Sequence, residues 1–297
     1  MLMSWLPLVL AAAVSLVQSD TSFSVPAGSR LSLHNFAGTV VVRPGPHNVV
    51  RIRASHAGPA RVAVVQEGTS YDVRMRGRPM AQPPVDYHIT APPWMSLDLE
   101  GFRSDMDIDG WKSDVLAKTV SGAVRLRGGL GLIRINSMTG GVDVSGAQGR
   151  LQLSSMESGV GVHDAAGEIS VEAVNGSVVL DRIRSRLVDV ATVNGDVQFT
   201  GAIDDGGRYH LATHRGNLDM LLPPAADATV LVSTFSGGFQ SAFPVRPGAI
   251  QPGRSFSFTL RDGRAQIELE SFEGHINLRQ GPLPAAPAAT PPPGAGR

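Results

Sequence analysis

The chain has 297 residues, 42% apolar and 18% charged, with 34 Gly, 21 Pro and 26 basic against 26 acidic side chains, which fits a turn-rich all-β protein of one elongated domain rather than a helical enzyme. Balanced charge leaves no electrostatic case for binding nucleic acid or an anionic membrane surface. Cysteine is absent, which excludes disulfides, thiolate metal sites, thiol nucleophiles and a lipid-modified N-terminal Cys.

Residues 1–19 read as a signal peptide. The apolar run from Trp5 to Val17 is short for a bilayer crossing but suits a signal-peptide core, with Val17 and Ser19 at plausible minus-three and minus-one positions. Export to the periplasm, cell envelope or exterior is expected, with no stable membrane span after cleavage. No Lys or Arg precedes the run, so a short membrane anchor stays open as the alternative. Residues 20–93 alternate at Val50-Arg51-Ile52, Val62-Ala63-Val64, Tyr71-Asp72-Val73 and Val85 to Ile89 without a fixed step. They are expected to form an irregular β N-terminal part of the same sheet system, capping the first regular coil.

From residue 94 to 280 one cassette recurs: a small residue, usually Gly, with an apolar residue two places before it and apolar residues two and four places after it. It reads Val120, Gly122, Val124, Leu126, then Met138, Gly140, Val142, Val144, then Met156, Ser158, Val160, Val162, at a step of eighteen residues. A copy centred on Gly176 keeps that step, and copies centred on Gly195, Gly216, Gly237 and Gly274 follow at longer steps. Ser104 precedes by eighteen, and an outlying copy centres on Gly38, making ten. Seven and five residues before each centre sits a second apolar pair, such as Ile133 and Ile135 or Leu151 and Leu153. Each unit therefore holds two short strands, and the pattern predicts a single-domain β-solenoid of roughly 18–21-residue coils.

The rival arrangement is a row of hairpins, suggested by Asn175-Gly176 and Asn194-Gly195. It would put Phe102, Val120, Met138, Met156, Val174, Val193, Phe235 and Phe272 at exposed tips, so the solenoid reading instead places these residues in one buried column behind a corner. Small hydroxyl residues three before the centre (Thr119, Ser137, Ser155, Thr192, Thr213, Thr234, Ser271) are expected to bond backbone groups left open by that corner. Glycine is expected to supply positive φ there, with Ser104 and Ser158 strained or in a different turn. Residues 281–297, rich in Pro and Ala, read as a disordered tail.

Candidate chemistry is sparse. Asp105-Met106-Asp107-Ile108-Asp109-Gly110 matches the opening of a calcium loop, but Met106 and Ile108 hold the inward register and Leu116 stands where the bidentate Glu belongs, so the carboxylates read as a solvated strand face. Three residues after the centres, Asp107, Arg125 and Asp143 align as a cross-strand charge pattern. His210 is expected outward and His214 inward, which separates them as metal ligands despite Asp204 and Asp205 nearby. Arg182, Arg184 and Arg186 read as a solvated rim. No Gly-x-Ser-x-Gly elbow or phosphate-cradling loop occurs. No catalytic, cofactor or metal residue is therefore assigned.

The segment Ile89-Thr90-Ala91-Pro92, followed by Leu97 and Leu99 and by units such as Ala191-Thr192-Val193-Asn194-Gly195-Asp196-Val197 and Ser137-Met138-Thr139-Gly140-Gly141-Val142, resembles the bacterial putative-adhesin family of unknown function. The resemblance spans most of residues 30–280 and implies a cell-envelope or secreted β-solenoid without established catalytic residues. The expected function is non-catalytic binding or scaffolding toward an envelope or surface ligand, glycan or protein. The alternatives are a polysaccharide-acting β-helix enzyme, which would gather carboxylates in a groove, and a periplasmic accessory of an envelope-stress system.

Overall fold

A computed structural model describes residues 16–57, 61–76, 83–244 and 255–283. Residues 1–15 of the expected signal peptide and 284–297 of the expected tail lie outside the described residues. Within them the chain is all-β, with twenty-two strands joined in one long, mostly parallel sheet system and no helix. No helix there is long and apolar enough to cross a membrane.

The regular part begins at β2 (Arg30–Pro44), earlier than the sequence step suggests. Between β1 (Leu16–Ser24) and β7 (Ser96–Trp111) lie β2, β3 (Val49–Ala57), β4 (Arg61–Glu67), β5 (Ser70–Arg76) and β6 (Val85–Ala91). Strand β2 pairs in parallel with β7 over its length, Leu31 on Leu97 and Val40 on Met106. The outlying cassette at Gly38 thus pairs as a full repeat unit, and what separates it from the next is an insertion. On its far side β2 is covered by β5 and β6 in parallel, and antiparallel pairs β3–β6, β1–β3 and β4–β5 complete the cap. Leu16–Ser19 already pairs in β1, ahead of the expected cleavage point.

Next come β8 (Val115–Ser121), β9 (Val124–Gly128), β10 (Leu130–Ser137), β11 (Val142–Ser145), β12 (Gln148–Ser155), β13 (Val160–His163) and β14 (Ala166–Asn175). They form two parallel ladders. In one, Val115 lies beside Ile133, Ile133 beside Leu151 and Leu151 beside Ile169; in the other, Val124, Val142, Val160 and Val178 follow in line. Residues one period apart share a rung, and the hairpin arrangement is excluded for these strands because every pairing is parallel. Both ladders turn the predicted apolar columns inward. Ile133, Ile135, Val144, Val162 and Leu126 are fully buried, in one continuous core.

The long strands β15 (Val178–Asn194) and β16 (Val197–Arg215) continue both ladders, followed by β17 (Leu218–Leu222), β18 (Ala228–Ser236), β19 (Phe239–Ser241), β20 (Ser255–Leu260), β21 (Ala265–Glu273) and β22 (Ile276–Gln280). Here spatial order departs from chain order. Strand β16 pairs with β21, and β21 then pairs with β18, so the unit centred on Gly274 lies between those centred on Gly216 and Gly237. The chain passes over one rung position, turns back antiparallel through β20 against β18, and fills the gap.

Two expectations at the corner are corrected. The column two before each centre faces out: Phe102, Met138, Met156, Val174, Val193, Phe235 and Phe272 are all exposed, as is Phe36. The hydroxyl residue before each of them is itself the inward one, with Thr119, Ser137, Ser155, Thr192, Thr213, Thr234 and Ser271 all buried. His214, expected inward, is exposed for the same reason.

Glycine at the centres is required by close approach more than by φ. A Cβ on Gly140, Gly195, Gly216 or Gly274 would overlap the backbone carbonyl of the centre one rung before it (Gly122, Gly176, Gly195 and Gly216 respectively). Gly122 and Gly274 have positive φ, but Ser104 and Ser158 do not and are unstrained. Ser104 fits because Gly101 leaves space for its Cβ, and its buried hydroxyl accepts from Asn35 Nδ2 at 2.6 Å. The expected hydroxyl bonds form at part of the column: Thr192 donates to Gly176 O at 3.2 Å, Thr213 to Gly195 O at 2.9 Å and Ser271 to Gly216 O at 3.2 Å, whereas the Ser137 hydroxyl accepts from Gly140 N and the Ser155 hydroxyl has no partner.

Candidate binding surface

A groove of about 700 Å³ lies on the outer face of the first ladder, crossing β12, β14, β15, β16, β21 and β18. Its origin is legible in the register. Between β15 and β16 the pairing passes from Ser185–Ile203 to Leu187–Arg208, so residues 204–207 leave the ladder as a bulge. The buried Tyr209 hydroxyl fixes that bulge, accepting from Asp204 N at 2.9 Å and donating to Ser185 O at 2.6 Å. Burial pushes the Tyr209 phenol up, keeping it a neutral donor. Arg264 ties the outer edge, donating to Asp205 at 2.9 Å. The bulge raises one wall, and outward side chains on consecutive rungs form the floor.

The floor is polar and electrically balanced. Arg150, Arg208 and Arg264 line the groove with Glu168, Asp189 and Glu268. Arg150 pairs with Glu168 at 2.7 Å. His210 Nδ1 lies 2.8 Å from Asp189 Oδ1, and its Nε2 lies 3.8 Å from Glu270. Burial pulls the His210 imidazole down, but the hydrogen bond and charge of Asp189, with Glu268 and Glu270, outweigh it and hold the group above its ordinary value. Arg208 and Glu268 have no ion-pair partner among the described residues. Leu187 and Leu231 add apolar surface to the lining.

The residues singled out from sequence mostly lie elsewhere. Asp105, Asp107 and Asp109 project outward from β7, as expected; Asp107 pairs with Arg43 at 3.0 Å and Asp105 accepts from Ala123 N at 2.7 Å. Arg127 lies 3.5 Å from Asp109. Asp107, Arg125 and Asp143 do share neighbouring rungs, yet the ion pairs of Asp107 go to Arg43 and Arg127 rather than Arg125. Arg182 is not a freely solvated rim residue: it sits at a ladder irregularity with φ 55°, half-buried between Asp164, at 2.6 Å, and Asp181. Arg184 and Arg186 are exposed. Among the described residues no group of three or more His, Asp or Glu side chains is arranged to hold a metal ion.

Sequence reasoning missed Asp189, Arg208 and Glu268. The signal was the step itself, which lengthens from eighteen to nineteen and then twenty-one residues between Ser158 and Gly216, because a lengthened unit must extrude residues from a fixed ladder.

The second surface feature is the outward corner column. In rung order it runs Phe36, Phe102, Val120, Met138, Met156, Val174, Val193, His214, Phe272, Phe235, as the pairings of successive strands require. Phe36 stacks on Phe102 at 5.3 Å, His214 on Phe272 at 4.7 Å and Phe272 on Phe235 at 4.5 Å.

The chain matches no protein-family model and no curated protein. Among solved structures it is similar to one described as a putative cell adhesion protein from Clostridium sporogenes ATCC 15579, with 10% identity and a TM-score of 0.26 over 89% of this chain and 100% of that one. A likeness at that level carries no argument about what this chain does.

Proposed function

We propose that the chain is a non-catalytic, exported β-solenoid of the putative-adhesin kind, holding a fixed polar groove toward a glycan of the cell envelope or surface. The solenoid reading is supported by two parallel ladders that keep one register and close on a single core. Export is supported by the apolar run from Trp5 to Val17.

The groove's balanced lining carries the functional reading. Three guanidinium and three carboxylate groups stand on neighbouring rungs, so a polyanion or polycation would meet as many like charges as opposite ones. A polyhydroxylated chain suits such a lining, because each hydroxyl both donates and accepts. Leu187 and Leu231 offer apolar contact to sugar C–H faces, and rungs about 4.8 Å apart repeat the pattern along an extended ligand.

One observation favours the enzyme alternative: Asp189 and Glu268 flank His210 on adjacent strands, as paired carboxylates do in glycosidases. Against it, a general acid needs burial to raise its pKa, whereas the Asp189 side chain is 59% exposed and already committed to His210. The test is a glycan array run beside a screen for released reducing ends. The proposal expects binding to a restricted set of glycans, weakened at least tenfold in Arg208→Ala and Glu268→Gln, with no cleavage. Reducing ends released by the wild type and lost in Glu268→Gln would establish the enzyme instead.

A further inference from the structure

We propose that the outward corner column is the interface of a homodimer in which two copies of this chain pack ridge to ridge about a two-fold axis. The inference is independent of the groove, which lies at the other end of the same strands; His210 is four residues from His214, about 13 Å along an extended strand.

Ten side chains stand in line over nine rung spacings, about 43 Å at strand separation. Eight of them are apolar and 38% to 63% exposed. At roughly 80 Å² left open on each of these eight, from side chains of about 150–250 Å² for the aromatic ones, the ridge exposes about 640 Å² of apolar surface. The largest apolar patch on an ordinary monomer is about 300–600 Å², while a standard interface buries about 800 Å² on each partner. With Val120, His214 and the flanking positions, the ridge reaches the size of one side of a stable interface.

A second copy is the occupant because the ridge is self-complementary. Its ends are aromatic, Phe36 with Phe102 and Phe272 with Phe235, and its centre is Met and Val. The antiparallel two-fold alignment sets Phe36 on Phe235, Phe102 on Phe272, Met138 on Val193 and Met156 on Val174, with Val120 on His214, so aromatic rungs meet aromatic rungs at both ends of an isologous contact. The flanking positions carry both signs. Arg103, beside Phe102, meets Glu273 of the partner in the antiparallel alignment, so these flanking charges attract rather than repel. Stacking along the ridge already fixes the aromatic rings, which lowers the ordering entropy lost on association.

Sedimentation equilibrium of the full exported chain tests this directly. The wild type is expected to be dimeric at micromolar concentration. Phe102→Ser with Met138→Ser and Phe272→Ser is expected to be monomeric, with unchanged β-sheet circular dichroism and a thermal midpoint that no longer depends on protein concentration. Leu130→Ser, which removes an exposed apolar group away from the ridge, should stay dimeric. Arg103→Glu should weaken association about tenfold. A wild type that is monomeric at tens of micromolar, or a triple variant that folds and still dimerises, overturns the proposal.

Discussion

The coils from Leu97 to Leu222 and the segment from Leu16 to Met95 share one sheet system and one core, but they treat buried polar groups differently. In the repeat units, the inward hydroxyl of Thr192 or Thr213 donates to the glycine carbonyl of the previous rung, so one device recurs, although the buried Ser155 hydroxyl of the same column has no partner. Among the described residues of the N-terminal segment, both ring nitrogens of buried His56 and the hydroxyl of Tyr87 have no hydrogen-bond partner, and burial pushes the Tyr87 phenol up to about 12. Repetition lets each solved contact be copied, whereas a cap is built once from unlike strands. Stability is therefore expected to be concentrated in the coils, with the cap able to gain from substitution.

The most damaging change should fall on the coil core. Val142→Asp puts a carboxylate between Val124 and Val160 and is expected to cost about 4 kcal/mol or more, while Asp143→Val on the opposite face of the same strand should cost less than about 0.5 kcal/mol; urea midpoints of the two variants measure the contrast. Next is Gly195→Ala, whose methyl group would enter the space of the Gly176 carbonyl, for a loss of about 1–3 kcal/mol. The sharpest comparison pairs two polar deletions. Thr213→Val should cost about 1 kcal/mol by removing a bonded hydroxyl and leaving the Gly195 carbonyl short of a donor, whereas His56→Leu in the cap should be neutral or stabilising because nothing is left unpaired.

The smallest effect is electrostatic. His210 titrates above its ordinary value in the folded chain, so its contribution to stability is fully present below about pH 6.5 and is lost as pH rises through the folded-state value. NMR titration should place its midpoint above 6.5, and Asp189→Asn should lower it. A midpoint unmoved by that substitution would mean the contact at 2.8 Å does not set the charge state.

Much of this contrast was legible in the sequence. The eighteen-residue step named every inward residue of Ile133, Ile135, Val142 and Val144 correctly, because a fixed ladder gives equivalent positions equivalent surroundings. The outward ridge was misread because Ser137 and Thr192 look like solvent-facing turn residues. They are inward, and the parity they continue sends Met138 and Val193 out. The hairpin alternative was rightly rejected, though on the wrong ground, since the apolar corner residues it would have exposed are exposed in the parallel arrangement too. Rung order around β21 was not readable, because a period shows which segments are alike and not which lie side by side. His56 gave no signal, as an isolated His in an alternating stretch has the same pattern whether its ring is bonded or not.

The central claim is that consecutive rungs stack in register along one ridge. Pulsed electron spin resonance distances test it, measured from a label at Phe102 to labels at Val174, Val193 or His214, with each labelled chain diluted into unlabelled protein. The distances should rise steadily by about 4.8 Å per rung, reaching about 24 Å of backbone separation at Val193. Distances that fail to increase along that order would contradict the stacking and, with it, both the groove and the ridge.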